Sequence, residues 1–230
     1  MSEREKILGR IREALTITAP MPGDHGWKGQ GAHAPRAAGA AARQWLPPVG
    51  NLADEQLDLF ARNAAELKAM FHVCSSMDEA KRLLKELAAT HRWKRVASHG
   101  EGLAHDAAAA LQLPLLNTDK GYDVHEMESC DAGISECDAL IAQTGSVLLT
   151  STSGGGRALS VLPTHHVVIA KSDQLVADLP AAYELLHQRY DGAWSSFTTL
   201  ITGPSRTGDI ERILVLGAHG PKKLTIFLVP

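Results

Sequence analysis

Between residues 51 and 120 the sequence alternates repeatedly between helical and strand periodicity, and this restricts the fold more than any other feature of the chain. "ADEQLDLFARNAAELKAMF" places Leu57, Phe60, Ala64, Leu67 and Phe71 on one helical face. "HVCSS" is a short strand candidate, and "SMDEAKRLLKELAATH" opens a second helix with a capping box from Ser76 to Glu79. "KRVASHG" reads as a strand, "GLAHDAAAALQL" as a helix and "PLLNTD" as a strand. Strand–helix alternation of this kind predicts βαβ units and a mainly parallel sheet.

The second half is richer in β-structure. "ALIAQT" and "SVLLTS" flank Gly145 and form a hairpin or one bent strand. "HHVVIAK" is an apolar run of the buried kind, and "SSFTTLIT", "RILVLG" and "LTIFLV" are further strands. "LPAAYELLHQRY" is a helix with Pro180 in its first turn, where proline is tolerated.

Ahead of this alternation, residues 2–15 form an amphipathic helix with Ile7, Leu8, Ile11 and Leu15 on one face and a capping box from Ser2 to Glu5. A long stretch rich in Gly, Pro and Ala follows, without helical or strand period. Such a stretch is an arm or linker rather than an internal loop. The expected division is therefore an N-terminal helix and arm over 1–50 and an α/β domain over 51–230.

Composition removes several function classes. The formal net charge is −3 and no basic run stands out, which argues against nucleic acid as a partner. No run of about 18 apolar residues predicts a membrane span, and the charged start "MSEREKILGR" is unlike a signal peptide. A cytoplasmic protein is expected. Cys74, Cys130 and Cys137 form no CxxC pair, so neither a metal site nor an iron–sulfur cluster is expected on this chain. "THH" at 164–166 is no metal site either, because strand neighbours point to opposite faces. No dinucleotide fingerprint is present, and no cofactor is expected.

Candidate chemistry gathers in glycine-rich stretches at strand ends, where the carboxyl edge of an open α/β sheet binds ligands. "QTGS" contributes Thr144 and Gly145. "STSGGGR" offers the amides of Gly154, Gly155 and Gly156 as an anion nest, with Arg157 as a two-pronged partner for a carboxylate or phosphate. "TGPSRTGD" adds Ser205, Arg206, Thr207 and Asp209, with a helix start near Gly208 or Asp209 that would face an anion. His219 in "GAHGP" and the carboxylates Glu136 and Asp138 are the acid–base candidates. The expectation is that Arg157, the 154–156 backbone and residues 205–209 converge on one small organic anion.

"ALIAQTGSVLLTSTSGGGRALSVLPTHHVVIAKSDQLVADLPAAYELL" and "TGPSRTGDIERILVLGAHGPKKLTIFLV" together resemble the LUD domain family. The likeness is strong over roughly residues 130–230 and extends in general layout over 51–130. It departs from the family at Gln143, where a glutamate commonly precedes the Thr-Gly pair. The resemblance implies an α/β fold related to CoA transferases and sugar-phosphate isomerases, a mostly parallel central sheet with helices on both faces. It implies a non-redox part in oxidising L-lactate to pyruvate, beside partner proteins that carry iron–sulfur clusters. Two other readings stand beside it. One is a stand-alone enzyme of the CoA-transferase or isomerase type using Glu136, Asp138 or His219. The other is an interaction or regulatory module contacting its partner through the 1–50 arm. Association of identical chains is a further expectation.

Overall fold

The computed structural model describes residues 3–16, 47–191, 193–207, 215–217 and 219–230. These fall in two compact units, residues 1–45 and 46–230. The first contains helix α1 (Glu3–Thr16), in which Ile7 and Leu8 are exposed. The Ser2 cap and the arm over 17–46 lie outside the described residues.

The second unit is built from helices α2 (Ala53–Glu66), α3 (Met77–His91), α4 (Leu103–Ala110), α5 (Val124–Glu128) and α6 (Leu179–Tyr190). Its main sheet holds β1 (Met70–Val73), β2 (Val96–Ser98), β3 (Leu115–Asn117), β4 (Ala132–Ser135), β7 (His165–Lys171) and β12 (Lys223–Val229). These strands lie in the order β1-β12-β7-β4-β2-β3, and every pairing is parallel. A second sheet, in the order β8-β5-β6-β9, is formed by β5 (Ala139–Ile141), β6 (Ser146–Thr150), β8 (Leu175–Val176) and β9 (Thr198–Ile201). The β5–β6 pair is an antiparallel hairpin, which decides between the two readings of that segment. A small antiparallel ribbon joins β10 (Arg206–Thr207) to β11 (Val215–Leu216).

Alternate residues along the central strands separate two cores, as a pleat requires. Val167, Ile169, Phe227 and Val229 pack with Ala80, Leu84 and Ala104 of α3 and α4. On the other face Val168, Ala170, Leu224 and Ile226 meet Phe60 and Ala64 of α2 and the second sheet's Leu140, Val147 and Leu149. Helices thus cover both faces of the main sheet, with a second sheet sharing one of them. Helix α6 packs on that second sheet through Ala182 and Leu186.

The helix starts follow the local chemistry. Ser76 Oγ accepts from Glu79 N at 3.2 Å, while the Glu79 carboxylate reaches back to Ser75 rather than to Ser76. Asp178 caps α6 by accepting from Ala181 N at 2.9 Å, with Pro180 in the first turn.

Candidate functional site

Two stretches of the connection between β9 and β12 converge at the amino ends of β7 and β12. Ser205 N donates to Pro221 O and Gly217 N donates to Ser205 O, both at 2.9 Å. The β10–β11 ribbon extends this lacing. The segments 203–206 and 219–221 thereby wall a cavity of about 310 Å³ together with Ser160, His166, Thr199 and Thr202. Ser205, Arg206 and His219, three of the expected site residues, line it together. The cavity opens at the amino edge of the parallel sheet and not at the carboxyl edge, because residues 219–221 lead into β12 and His166 is the second residue of β7.

His166 is the most informative lining residue. It is 1% exposed, and its Nε2 lies 2.9 Å from Ser135 Oγ. Its Nδ1 is buried and has no hydrogen-bond partner. A buried polar atom without a partner is costly, and this one belongs to a residue on the cavity wall. Burial holds the imidazole pKa down to about 4, so the ring is neutral at pH 7. Arg206 is anchored through Nη2 to Leu67 O at 3.0 Å. No carboxylate side chain stands among the lining residues.

These histidines also set a pH dependence. His166 and its neighbour His165, held down to about 3, both sit below the value of about 6.5 expected in an unfolded chain. The unfolded state therefore binds more protons as pH falls below 6.5. Stability is expected to be full above pH 6.5 and to decline as pH falls toward 4. Denaturant titrations from pH 8 to pH 4 should show this slope, and His166→Asn should reduce it, leaving the share that His165 contributes.

The other expected residues are placed elsewhere. The amides of Gly154, Gly155 and Gly156 donate to Thr150 O, Thr152 O and Ser151 O at 2.9, 3.5 and 2.8 Å. The loop's own carbonyls thus take the donors that an anion cradle would need. Arg157 is exposed and reaches Ser196 O at 3.5 Å; it does not line the cavity with Ser205 and Arg206. Arg157 therefore does not join Ser205 and Arg206 in this cavity, and Gly208 and Asp209 lie outside the described residues. What the glycines permit is close packing: Gly155, at φ 63°, lies on His99, and a Cβ there would come within 2.5 Å of that side chain.

Thr144 and Gly145 form the β5–β6 turn. Gly145 lies against Asn63 of α2, whose Nδ2 donates to Ala142 O and Gln143 O at 2.8 and 2.9 Å. Gln143 Nε2 donates to Pro47 O at 3.0 Å, so the family's departure falls in this turn and not in the cavity. Arg206 and Thr207 are strand residues; Asp209 and the expected helix start lie outside the described residues.

The acid–base candidates divide. Asp138 is 1% exposed, and both its oxygens are filled by donors from Thr150, Ser153, Arg189 and Tyr190. Glu136, just past β4, accepts from Ala104 N at 3.4 Å at the start of α4. Beside it stands His99, which the sequence pattern did not single out. Burial lowers the His99 pKa, opposed by Glu136 and Asp119, and its Nε2 has no partner. Its signal was position alone, at the carboxyl end of a parallel strand.

The comparisons agree with this architecture. Residues 57–229 match the profile of the LUD domain. A lactate utilization protein C from Geobacillus sp. is 28% identical over 200 residues, covering 81% of this chain and 83% of that relative. One from Shouchella clausii is 36% identical over 114 residues, where the match spans 49% of this chain and about half (50%) of that protein's length. One from Bacillus subtilis is 34% identical over 116 residues, which is 49% of this chain and 48% of that relative. Among solved structures, a DUF162 family protein from Deinococcus radiodurans superposes with a TM-score of 0.58 at 20% identity. That superposition covers 79% of this chain and 100% of the Deinococcus chain, and it supports the fold. With the family profile spanning most of its length, the chain belongs to the LUD domain family.

Proposed function

We propose that this protein serves lactate utilisation by holding a small organic carboxylate in the cavity of His166, Ser205, Arg206 and His219. Relatives that carry the name lactate utilization protein C support the pathway. The observation that supports the site is a cavity lined by Arg206, Ser205, His219 and the buried His166, whose Nδ1 has no partner, and by no acid. Arg206 supplies the charge for a carboxylate, and the hydroxyls and imidazoles supply orientation. Electron transfer is assigned to partner chains that carry iron–sulfur clusters, since this sequence has neither a dinucleotide fingerprint nor a four-thiolate set.

The test is calorimetric titration of the full chain with L-lactate and with pyruvate. Arg206→Ala is expected to weaken binding at least about tenfold, the loss of roughly one charge-assisted hydrogen bond. His166→Asn is expected to weaken it as well. Equal affinity in the parent and Arg206→Ala proteins would remove the cavity from the reading.

A further inference from the structure

The cavity of about 310 Å³ is larger than a three-carbon acid requires. An apolar cavity of roughly 150 Å³ accommodates benzene, and neither lactate nor pyruvate is bulkier than benzene. About half of the space is left over, and the walls set the chemistry of what fills it.

Strand β9 gives the direction. Successive residues of a strand face opposite ways, so Phe197, Thr199 and Ile201 share one face and Thr198 and Leu200 the other. Ser151 N donates to Phe197 O at 2.9 Å, which carries the pairing with β6 one residue ahead of β9. Burial follows the alternation: Phe197, Thr199 and Ile201 are half-buried, while Thr198 and Leu200 are exposed. The whole half-buried row lines the cavity. One end of the row meets the charge. Past Ile201 the chain turns at Gly203, at φ 84°, where a Cβ would stand 3.2 Å from Arg206 Nη2. An extended chain rises about 3.3 Å per residue, so Phe197 lies roughly 13 Å beyond Ile201, away from the guanidinium. Other walls are apolar too: Leu224, 1% exposed, and Val161, 40% exposed, line the same cavity. In another direction the cavity shares Val161, His219 and Gly220 with a groove walled by Glu128 and Lys222. Charged walls do not suit a hydrocarbon, so an apolar ligand body follows β9.

We propose that the cavity takes a 2-hydroxy or 2-oxo acid with an extended hydrocarbon chain, its carboxylate at Arg206 and its chain laid along Phe197, Thr199 and Ile201. The proposal rests on the carboxylate reading above and adds the specificity. Ser205 and His219, held near Arg206 by the bond between Ser205 N and Pro221 O, serve the oxygen next to the carboxylate. Phe197 and Val161 favour the longer chain. Lactate and pyruvate occupy the Arg206 end alone.

The test is calorimetric titration of the full chain at pH 7 with pyruvate, 2-oxopentanoate and 2-oxooctanoate. A methylene fully withdrawn from water is worth about fourfold in affinity, and a half-withdrawn one about twofold. With five methylenes more than pyruvate, 2-oxooctanoate is expected to bind at least about thirtyfold more tightly, and 2-oxopentanoate in between. Phe197→Ala and Val161→Ser, the second at an exposed position, are each expected to lower the 2-oxooctanoate-to-pyruvate affinity ratio at least about fivefold. The ratio is the readout because a general loss of folding weakens both acids alike. Affinity that does not rise with chain length overturns the proposal, as does a ratio unchanged in both variants. Binding that is flat with chain length yet weakened by Arg206→Ala would overturn this proposal and keep the carboxylate reading. Binding indifferent to Arg206→Ala would overturn the carboxylate reading and this proposal with it.

Discussion

Gly133→Ala is expected to destabilise the α/β unit by about 3 kcal/mol or more, the upper end of what overpacking a core costs. Gly133 lies in β4, the central strand that pairs with β2 on one side and β7 on the other. A Cβ at this position would stand 2.2 Å from Leu159 O, 3.0 Å from Pro163 Cγ and 3.2 Å from Leu159 Cδ1. The nearest obstacle is backbone, which cannot rotate aside as a side-chain end can. Relief requires residues 158–163 to lift from the sheet, yet Leu159 is fully buried there with Ala97, Leu116 and Met127. For a domain of this size the loss corresponds to a fall of roughly 6–12 °C in Tm. Thermal and urea unfolding of the variant measure it directly. A change below about 1 kcal/mol, or full rescue by Pro163→Ala, would show that the Leu159 carbonyl is not the constraint.

The same glycine explains where the sequence was legible and where it was not. The helices α2, α3, α4 and α6 and the strands β1, β2, β3, β7 and β12 could be read from periodicity, because each carries an apolar face that only one core accommodates. The central strand β4, "AGIS", escaped because it is short and contains a glycine, which in isolation reads as a turn. Only the chain folded over it, from a different part of the sequence, makes that glycine necessary. The five-residue helix α5 escaped for want of a full period.

The site divides in the same way. Ser205, Arg206 and His219 were singled out by local turn chemistry, and the backbone bonds between residues 205, 217 and 221 bring them together. The triple glycine had equally suggestive chemistry, but its amides are consumed inside the loop, which no count of glycines reveals. His165 and His166 were correctly assigned to opposite faces. That each would be buried with Nε2 paired and Nδ1 unpartnered depends on Thr225 and Ser135. Those partners come from neighbouring strands, and only register places them opposite.

Asp138→Asn is the second large effect expected, about 3 kcal/mol of stability, because the carboxylate is a buried junction of four donors. Oδ2 accepts from Thr150 N at 2.9 Å and Ser153 Oγ at 2.6 Å. Oδ1 accepts from Arg189 Nη1 at 2.9 Å and Tyr190 OH at 2.8 Å. The bonds tie the second sheet, helix α6 and the glycine-rich loop to one 1%-exposed group. An asparagine keeps the shape but turns one acceptor into an NH₂. Hydroxyls of Ser153 and Tyr190 can rotate to meet it; the Thr150 amide and the Arg189 guanidinium cannot. Either orientation of the amide therefore leaves one fixed donor facing another. Urea unfolding is expected to show the loss, and limited proteolysis is expected to cut the 151–157 loop faster as Ser153 loses its anchor. An Asp138→Asn protein that keeps its stability but loses function on lactate would return this residue to acid–base chemistry. Loss of both, with cleavage in the loop, would mark it as the tie that holds the second sheet together, as its four donors require.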